Sequence, residues 1–279
     1  MLTSGSSAAR LHDWIAAHRR VFVLTGAGCS TASGIPDYRD EQGAWKRRPP
    51  VMIQAFRTQD AIYRRYWARG YAGWPRFTTA APGEAHRALA SWEAAGTLSM
   101  LVTQNVDRLH QRAGSRSVID LHGRLDLVVC LGCGDRITRA ELQERMAAHN
   151  PGWTASFTTA PDGDADIEDA AIASFVAPRC EGCGGLLKPD VVFFGENVPR
   201  DRVDTAREAL AASDALLVAG SSLMVYSGFR FVTMAHDFGL PIVIVNRGRT
   251  RGDDLASFKI EEDVGSLLAR VWPRERLTQ

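Results

Sequence analysis

Two Cys-x-x-Cys pairs, Cys130–Cys133 and Cys180–Cys183, carry the most specific chemical signal in this 279-residue sequence. Four thiolates satisfy tetrahedral zinc, and the glycines at 132, 134, 182 and 184 let the backbone fold tightly around a metal. A complete set of cysteines leaves no open coordination position, so the metal is expected to be structural. Two redox pairs are the alternative, although neither pair stands at a helix start after a strand. Of the five cysteines only Cys29 lies outside the set, and it reads as a small buried residue.

Residues 21–40 offer a second kind of chemistry. The apolar run 21–24 breaks at Gly26-Ala27-Gly28, and Ser30, Thr31 and Ser33 follow. Glycines at a strand end let a backbone approach a diphosphate, and free N–H groups at a helix start hold its charge. Thr31 occupies the third glycine position of G-x-G-x-x-G, and no acidic strand end follows in the usual place. The loop therefore also fits a plain strand–turn–helix. The tail Gly34-Ile35-Pro36-Asp37-Tyr38-Arg39 has no evident packing role. Polar residues follow two further apolar runs: Gln104, Asn105 and Asp107 after 98–102, and His122 after 118–121. Open α/β sheets place ligands at such strand ends. Histidine suits proton transfer near neutral pH, and His122 is placed for it; a packing role is the alternative. Asn105 fits helix capping as well as ligand binding.

The stretch GAGCSTASGIPDYRD closely resembles the sirtuin signature GAGxSxxSGIPxFR. TQNVDRLH at 103–110, LHG at 121–123 and GSSLMVYSGFRF at 220–231 fit the same family in the same order. The resemblance spans about residues 10–270. YWAR at 66–69, KPDVVFFGE at 188–196 and VYSGFRF at 225–231 look most like the class II branch, that of mitochondrial sirtuin 4.

The resemblance implies an NAD-dependent protein lysine deacylase. Such an enzyme cleaves NAD to nicotinamide and transfers the acyl group to ADP-ribose, with NAD as co-substrate and one structural Zn2+ on the four cysteines. It implies His122 as general base and Asn105 as a partner of ribose hydroxyls or an ordered water. Gln104 faces the ribose, and Asp107 accepts from the nicotinamide amide. Gly26, Ala27, Gly28, Ser30, Gly220, Ser221 and Ser222 carry over as diphosphate and ribose contacts, with Asp37, Tyr38 and Arg39 around the nicotinamide and phosphates. Tyr38 replaces the family's usual phenylalanine. Asn246, Arg247 and Val264 match the adenosine end. His110, although inside a motif, reads as structural. Val192, Phe193 and Phe194 line the acyl-lysine tunnel, while the backbones of 193–195 and 227–229 pair with an extended peptide. Ser227 stands where many sirtuins carry proline. Tyr66 and Arg69 resemble the Tyr-x-x-Arg pair by which class III members bind an acyl carboxylate, and i, i+3 residues share a helix face. A solvated basic helix with packing aromatics is the other reading of 63–69.

The elements that must position these residues alternate strand and helix from 83 onwards, which predicts an α/β fold with a parallel, doubly wound sheet. With the resemblance, the expected fold is a Rossmann-like sheet domain (1–40, 82–124 and 186–279) carrying a smaller one. The smaller comprises a helical insertion at 41–81 and a zinc module at 125–185. Helices are expected at 8–20, 83–96, 200–213, 228–238 and 262–272, with 191–194 extended. The acidic run Asp162, Asp164, Asp166, Glu168 and Asp169 tempts an EF-hand reading. That loop lacks the sixth-position glycine and has Ala173 where the bidentate glutamate belongs, so a solvated loop is expected at 150–178.

A 45% hydrophobic content is ordinary for a globular chain, and a net charge of +1 gives no global reason for nucleic-acid or anionic-membrane binding. No apolar run approaches a membrane span, and no secretory core precedes a cleavage site. The expectation is a soluble cytoplasmic monomer acting on acyl-lysine proteins or peptides. Protein ADP-ribosyl transfer and lipoamidase activity remain alternatives on the same scaffold. A Rossmann oxidoreductase, which leaves the glycosidic bond of NAD intact, and a nucleic-acid module are readings from other classes. The absence of an aromatic–basic RNA motif argues against the last.

Overall fold

The computed structural model describes residues 5–46, 50–155, 158–159, 165–166 and 169–271. The chain runs α1 (Ser7–Ala16), β1 (Val21–Thr25), α2 (Ile53–Thr58), α3 (Asp60–Thr78), α4 (Glu84–Ala94), β2 (Leu98–Thr103), α5 (Leu109–Arg112) and β3 (Val118–Asp120). It continues β4 (Gly123–Cys130), β5 (Arg136–Thr138), α6 (Arg139–His149), β6 (Thr158–Thr159), β7 (Ala165–Asp166), α7 (Asp169–Ala173) and β8 (Leu187–Val191). It closes with α8 (Arg200–Ala211), β9 (Ala215–Ala219), α9 (Tyr226–Asp237), β10 (Ile242–Val245), β11 (Phe258–Ile260) and α10 (Val264–Val271).

Two compact units form. The first comprises Met1–Arg47, Ala81–Leu121 and Val198–Gln279. Its six strands pair in the order β11-β10-β9-β1-β2-β3, and all pairings are parallel. Alternate side chains of one strand serve opposite faces. Val21 and Val23 of β1 join Leu217 and Val243 in a core closed by α1, α4 and α10. Phe22 and Leu24 join Leu216, Val218 and Ile244 under α8 and α9. Burial on both faces explains why β1, β9 and β10 are continuous apolar runs. The doubly wound expectation holds. The strand order reverses between β1 and β9, so the loops after these two strands border the crevice where such sheets hold ligands.

The second unit comprises Arg48–Ala80 and His122–Asn197. A three-stranded antiparallel sheet, β5-β4-β8, packs with α2, α3 and α6 around Phe56, Tyr63, Trp67, Val128, Leu142, Met146 and Phe193. The Tyr63 hydroxyl donates to Pro178 O (2.6 Å) and accepts from Leu187 N (3.1 Å), tying α3 to the segments leading into β8.

Three local expectations need correction. The extended strand here is β8, Leu187–Val191, rather than 191–194. Pro189 sits inside β8 opposite Val128, and the ladder ends before Phe193. The stretch 150–178 is more than a solvated loop. It contains the β6–β7 pair and α7, and Ile172 and Phe175 are buried in the second unit's core. Of its acidic run, Asp162, Asp164 and Glu168 lie outside the described residues, as do Arg47, Arg48 and Pro49 of the insertion at 41–81. The first helix ends at Ala16 instead of 20, leaving Arg19 and Arg20 N–H groups to donate to Asp214.

Candidate active site

The loops after β1 and β9 cross at a contact only glycine permits. Gly28 N donates to Gly220 O (2.9 Å). A Cβ on Gly28 would lie 2.9 Å from Gly220 Cα, and one on Gly26 2.8 Å from Gly220 O. Gly220 adopts φ +65°, and its own Cβ would meet Cys29 N at 2.7 Å. One further glycine, Gly220 from another strand end, therefore takes part in this close crossing. Cys29 is buried beneath, donating to Ala219 O (3.4 Å), and burial pushes its thiol up to about 12.

Ser30, next in line, is a hub. Its hydroxyl donates to Asp107 Oδ2 (2.6 Å) and accepts from Asn105 Nδ2 (3.1 Å). His86 Nδ1 accepts from Gly83 N (3.0 Å), so the ring proton resides on Nε2, which faces Ser30 Oγ at 3.3 Å. One donor and two acceptor sites are then all in use. Asn105 Nδ2 also donates to Gly26 O (3.0 Å), and Asp107 Oδ1 accepts from Leu109 N (2.9 Å). Burial raises the Asp107 carboxyl above its ordinary range, against the opposing pull of Ser30 and Leu109 N. Gln104 Nε2 donates to Ser221 Oγ (2.7 Å) and Thr25 O (3.3 Å). Ser221 Oγ in turn accepts from Leu223 N (3.2 Å), beside the positive φ of Leu223 (59°). A non-glycine residue held in that region costs of order 1–3 kcal/mol and clusters at functional sites.

His86 escaped the sequence analysis. Its only signal was a polar residue on the apolar face of a helix, at a position that is fully buried. Burial, with the charge of Arg87, lowers it to about 4. His110 lies 4.7 Å away ring to ring, bonds Thr25 Oγ1 at 3.0 Å, and is lowered well below the usual range by burial and by His86. Both rings are neutral at pH 7 and serve as framework.

The segment 37–46 folds back on itself. Asp37 pairs with Lys46 (2.6 Å), and Tyr38 O accepts from Lys46 N (2.9 Å). The Arg39 guanidinium donates to Gly43 O (2.7 Å) and stacks 3.8 Å over Trp45, which meets Tyr38 edge-on. Ala27 is half-buried at the start of the turn after β1, and Ser222 O accepts from Arg251 N (2.9 Å). Past β10, Asn246 N donates to Ile260 O (3.1 Å) and Arg247 reaches Asp263 at 3.8 Å. Val264, at the start of α10, is buried.

In the second unit, His122 is half-buried, and its carbonyl accepts from Val192 N (2.8 Å). Gly123 follows at φ +85°, where a Cβ would strike Asp190 O at 2.0 Å. That contact accounts for the glycine of LHG. Phe193 is buried, and its N–H donates to Glu196 Oε2 (2.7 Å); Glu196 also pairs with buried Lys188 (3.1 Å). Phe194 O accepts from Ile53 N (2.9 Å). Tyr66 contacts Phe56 and Phe193, each at 5.2 Å between ring centroids, while Arg69 is half-buried one turn along α3.

The sulfur atoms of Cys130, Cys133, Cys180 and Cys183 lie within 4.8 Å of one another. Cys130–Cys183 at 3.4 Å and Cys133–Cys180 at 3.8 Å are too far for disulfides and near the roughly 3.7 Å edge of a tetrahedron with Zn–S of about 2.3 Å. Both pairs turn alike: Gly134 N donates to Cys130 O, Gly184 N to Cys180 O, and both glycines have positive φ. The N–H groups of Cys133 and Gly132 pointing at Cys130 Sγ hold its thiol down to about 6. Donor set and spacing fit a structural zinc ion.

The Sir2 family model matches residues 26–227. An NAD-dependent protein deacetylase 2 from Bradyrhizobium diazoefficiens is 60% identical over 260 residues, covering 93% of this chain and 95% of that protein. The mitochondrial NAD-dependent protein lipoamidase sirtuin-4 of Bos taurus is 48% identical over 268 residues, covering 95% and 85%. A solved structure of Sir2 with a p53 peptide and NAD+ superposes with a TM-score of 0.76 at 32% identity, covering 98% of this chain and all of that one. The chain belongs to the Sir2 family.

Proposed function

We propose that this chain is an NAD-dependent protein lysine deacylase that moves the acyl group from lysine to ADP-ribose. The observation that carries the reading is the glycine-only crossing of the loops after β1 and β9, with Ser30 holding Asn105 and Asp107 beside it. A Rossmann oxidoreductase needs no such carboxamide–carboxylate pair past β2.

NAD, when bound, supplies a glycosidic bond to nicotinamide and a ribose hydroxyl acceptor for the acyl group. The backbone at Gly26, Ala27, Gly28 and Gly220, with Ser221 and Ser222, gives the diphosphate close approach without side-chain obstruction. Arg39, Tyr38 and Asp37 belong to the segment assigned to close over the nicotinamide side, and Asn246, Arg247 and Val264 to the adenosine end. With all its hydrogen-bonding sites engaged, Ser30 acts by fixing Asn105 and Asp107, which would hold the ribose and the carboxamide when NAD is bound. Gln104, anchored to Ser221, holds its place beside them. His122 takes the proton from a ribose hydroxyl; an imidazole of near-neutral pKa is suited to that step. Val192, Phe193 and Phe194 line the acyl-lysine path, and the backbones of 193–195 and 227–229 pair with the peptide.

The acyl group is the open choice. Tyr66 touches Phe193, assigned to the acyl-lysine path, so we propose Tyr66 and Arg69 as readers of an acyl carboxylate, with core packing of Tyr66 as the other reading. No helix among the described residues is long and apolar enough to cross a membrane. Thiols set for metal rather than disulfides favour a reducing compartment, and we place the enzyme in the cytoplasm as a monomer, which light scattering checks. Nicotinamide release that requires an acyl-lysine peptide tests the proposal. Hydride transfer with the glycosidic bond intact, or hydrolysis of NAD indifferent to peptide, would overturn it.

A further inference from the structure

One surface of the first unit is both basic and aromatic. Tyr226 opens α9 and is 58% exposed. Phe229 and Arg230 follow on the same helix face by their i, i+3 and i, i+4 spacing. The Arg230 guanidinium lies 5.4 Å from the Tyr226 ring centre. Arg251, on the loop after β10, lies 4.4 Å over Phe229 and 5.8 Å from Tyr226. Two guanidinium groups thus bracket one exposed phenol. The Arg251 backbone donates to Ser222 O, which ties this loop to 220–222.

These cations lack counter-charges. Among the described residues Arg230 and Arg251 pair with no carboxylate, and Arg230 Nε is buried without a hydrogen-bond partner. The nearby Asp253 is taken by Thr250 and Lys259. Arg249 adds a further exposed positive charge. Stacking on an aromatic face orders a guanidinium and removes water from one side without neutralising it. The N–H fork that remains matches a carboxylate.

We propose that Arg230 and Arg251, ordered by Tyr226 and Phe229, read an acidic side chain flanking the acyl-lysine in the protein substrate. This rests on the deacylase reading, in which the backbone of 227–229 pairs with the substrate, so the readers adjoin the paired segment. An acidic peptide fits better than nucleic acid because the unpaired arginines form one small cluster on a chain of net charge +1.

The test uses fluorescent peptides sharing one acyl-lysine, with glutamate or glutamine scanned through the four positions on either side. Deacylation and binding are read in parallel at low and moderate salt. Wild-type protein should prefer glutamate at one or two positions by about tenfold in kcat/KM, mostly through KM, with the preference shrinking as salt rises. The pair Arg230→Gln and Arg251→Gln should remove the preference and leave the all-glutamine peptide unchanged; Arg230→Lys with Arg251→Lys should keep part of it. Equal handling of glutamate and glutamine by active wild-type enzyme overturns the reader and spares the deacylase reading. Absent deacylation with a glutamate preference in binding, lost in the glutamine pair, keeps the reader and overturns the deacylase reading. Duplex DNA bound more tightly than any peptide, and released by the glutamine pair, would assign the patch to nucleic acid and overturn the proposal.

Discussion

At the scale of single residues, the histidines divide by burial and bonding. His86 and His110 are buried, neutral and bonded inward, so neither is available as a base. His122 is half-buried and follows a strand whose successor begins with a glycine no other residue could replace. His122→Ala should lower turnover by ~10²–10⁴, the usual contribution of a general base, while NAD affinity stays within roughly threefold. Steady-state rates and calorimetric NAD binding check this, and wild-type turnover in the variant contradicts it.

His86 yields a prediction of pH dependence. Its folded pKa of about 4 lies below the ordinary 6.5, so the unfolded chain takes up the proton first as pH falls. The contribution to native stability is complete above pH 6.5 and is lost between there and pH 4, about 3 kcal/mol in all. Urea unfolding across this range should show a slope for the wild type that His86→Gln flattens by about one proton. His110, shifted the same way, keeps some slope in the variant. Parallel pH profiles would remove His86 from the account.

At the scale of elements, the sequence was most legible where burial imposed a period. β1, β9 and β10 are apolar runs because both faces of each strand are covered, and the run expected at 21–24 came within a residue of β1. β8 was less legible because Lys188 and Pro189 interrupt its pattern; buried Lys188 pairs with Glu196, eight residues on, and donates to Val191 O. Within the helical insertion expected at 41–81, only the extents of α2 and α3 were illegible, because Pro75 lies inside α3 and glycines interrupt the pattern. In the site, motifs supplied the glycine loops after β1 and β9 and the position of His122, which we propose as the base. The Ser30–His86 contact could not be read, since it joins residues with |i−j| of 56 and follows no periodicity. The role of α3 is open to a direct test. Arg69→Met should cost ~1.5–3 kcal/mol in kcat/KM for acyl groups ending in a carboxylate, such as glutaryl, and little for acetyl. Equal losses across a panel of acyl peptides would make Arg69 a structural residue.

At the scale of the whole molecule, the second unit has a core built on a small three-stranded sheet whose ends carry the four cysteines. Metal affinity in such a knuckle is folding free energy, of order 10 kcal/mol. One zinc per chain should be found by elemental analysis. Cys180→Ser, or a strong chelator with heat, should remove metal and lower the melting temperature together. A folded, active, metal-free protein would contradict a structural role.

The central claim is that cleavage of NAD and removal of the acyl group are one coupled event. The most direct measurement is a mass balance on purified protein with NAD and a single acyl-lysine peptide, quantifying nicotinamide, deacylated peptide and acyl-ADP-ribose over time. The account predicts that the three rise together in equal amounts and that none rises when either substrate is left out. Deacylated peptide appearing with free acid and unconsumed NAD, or NAD reduced with its nicotinamide still attached, would contradict it.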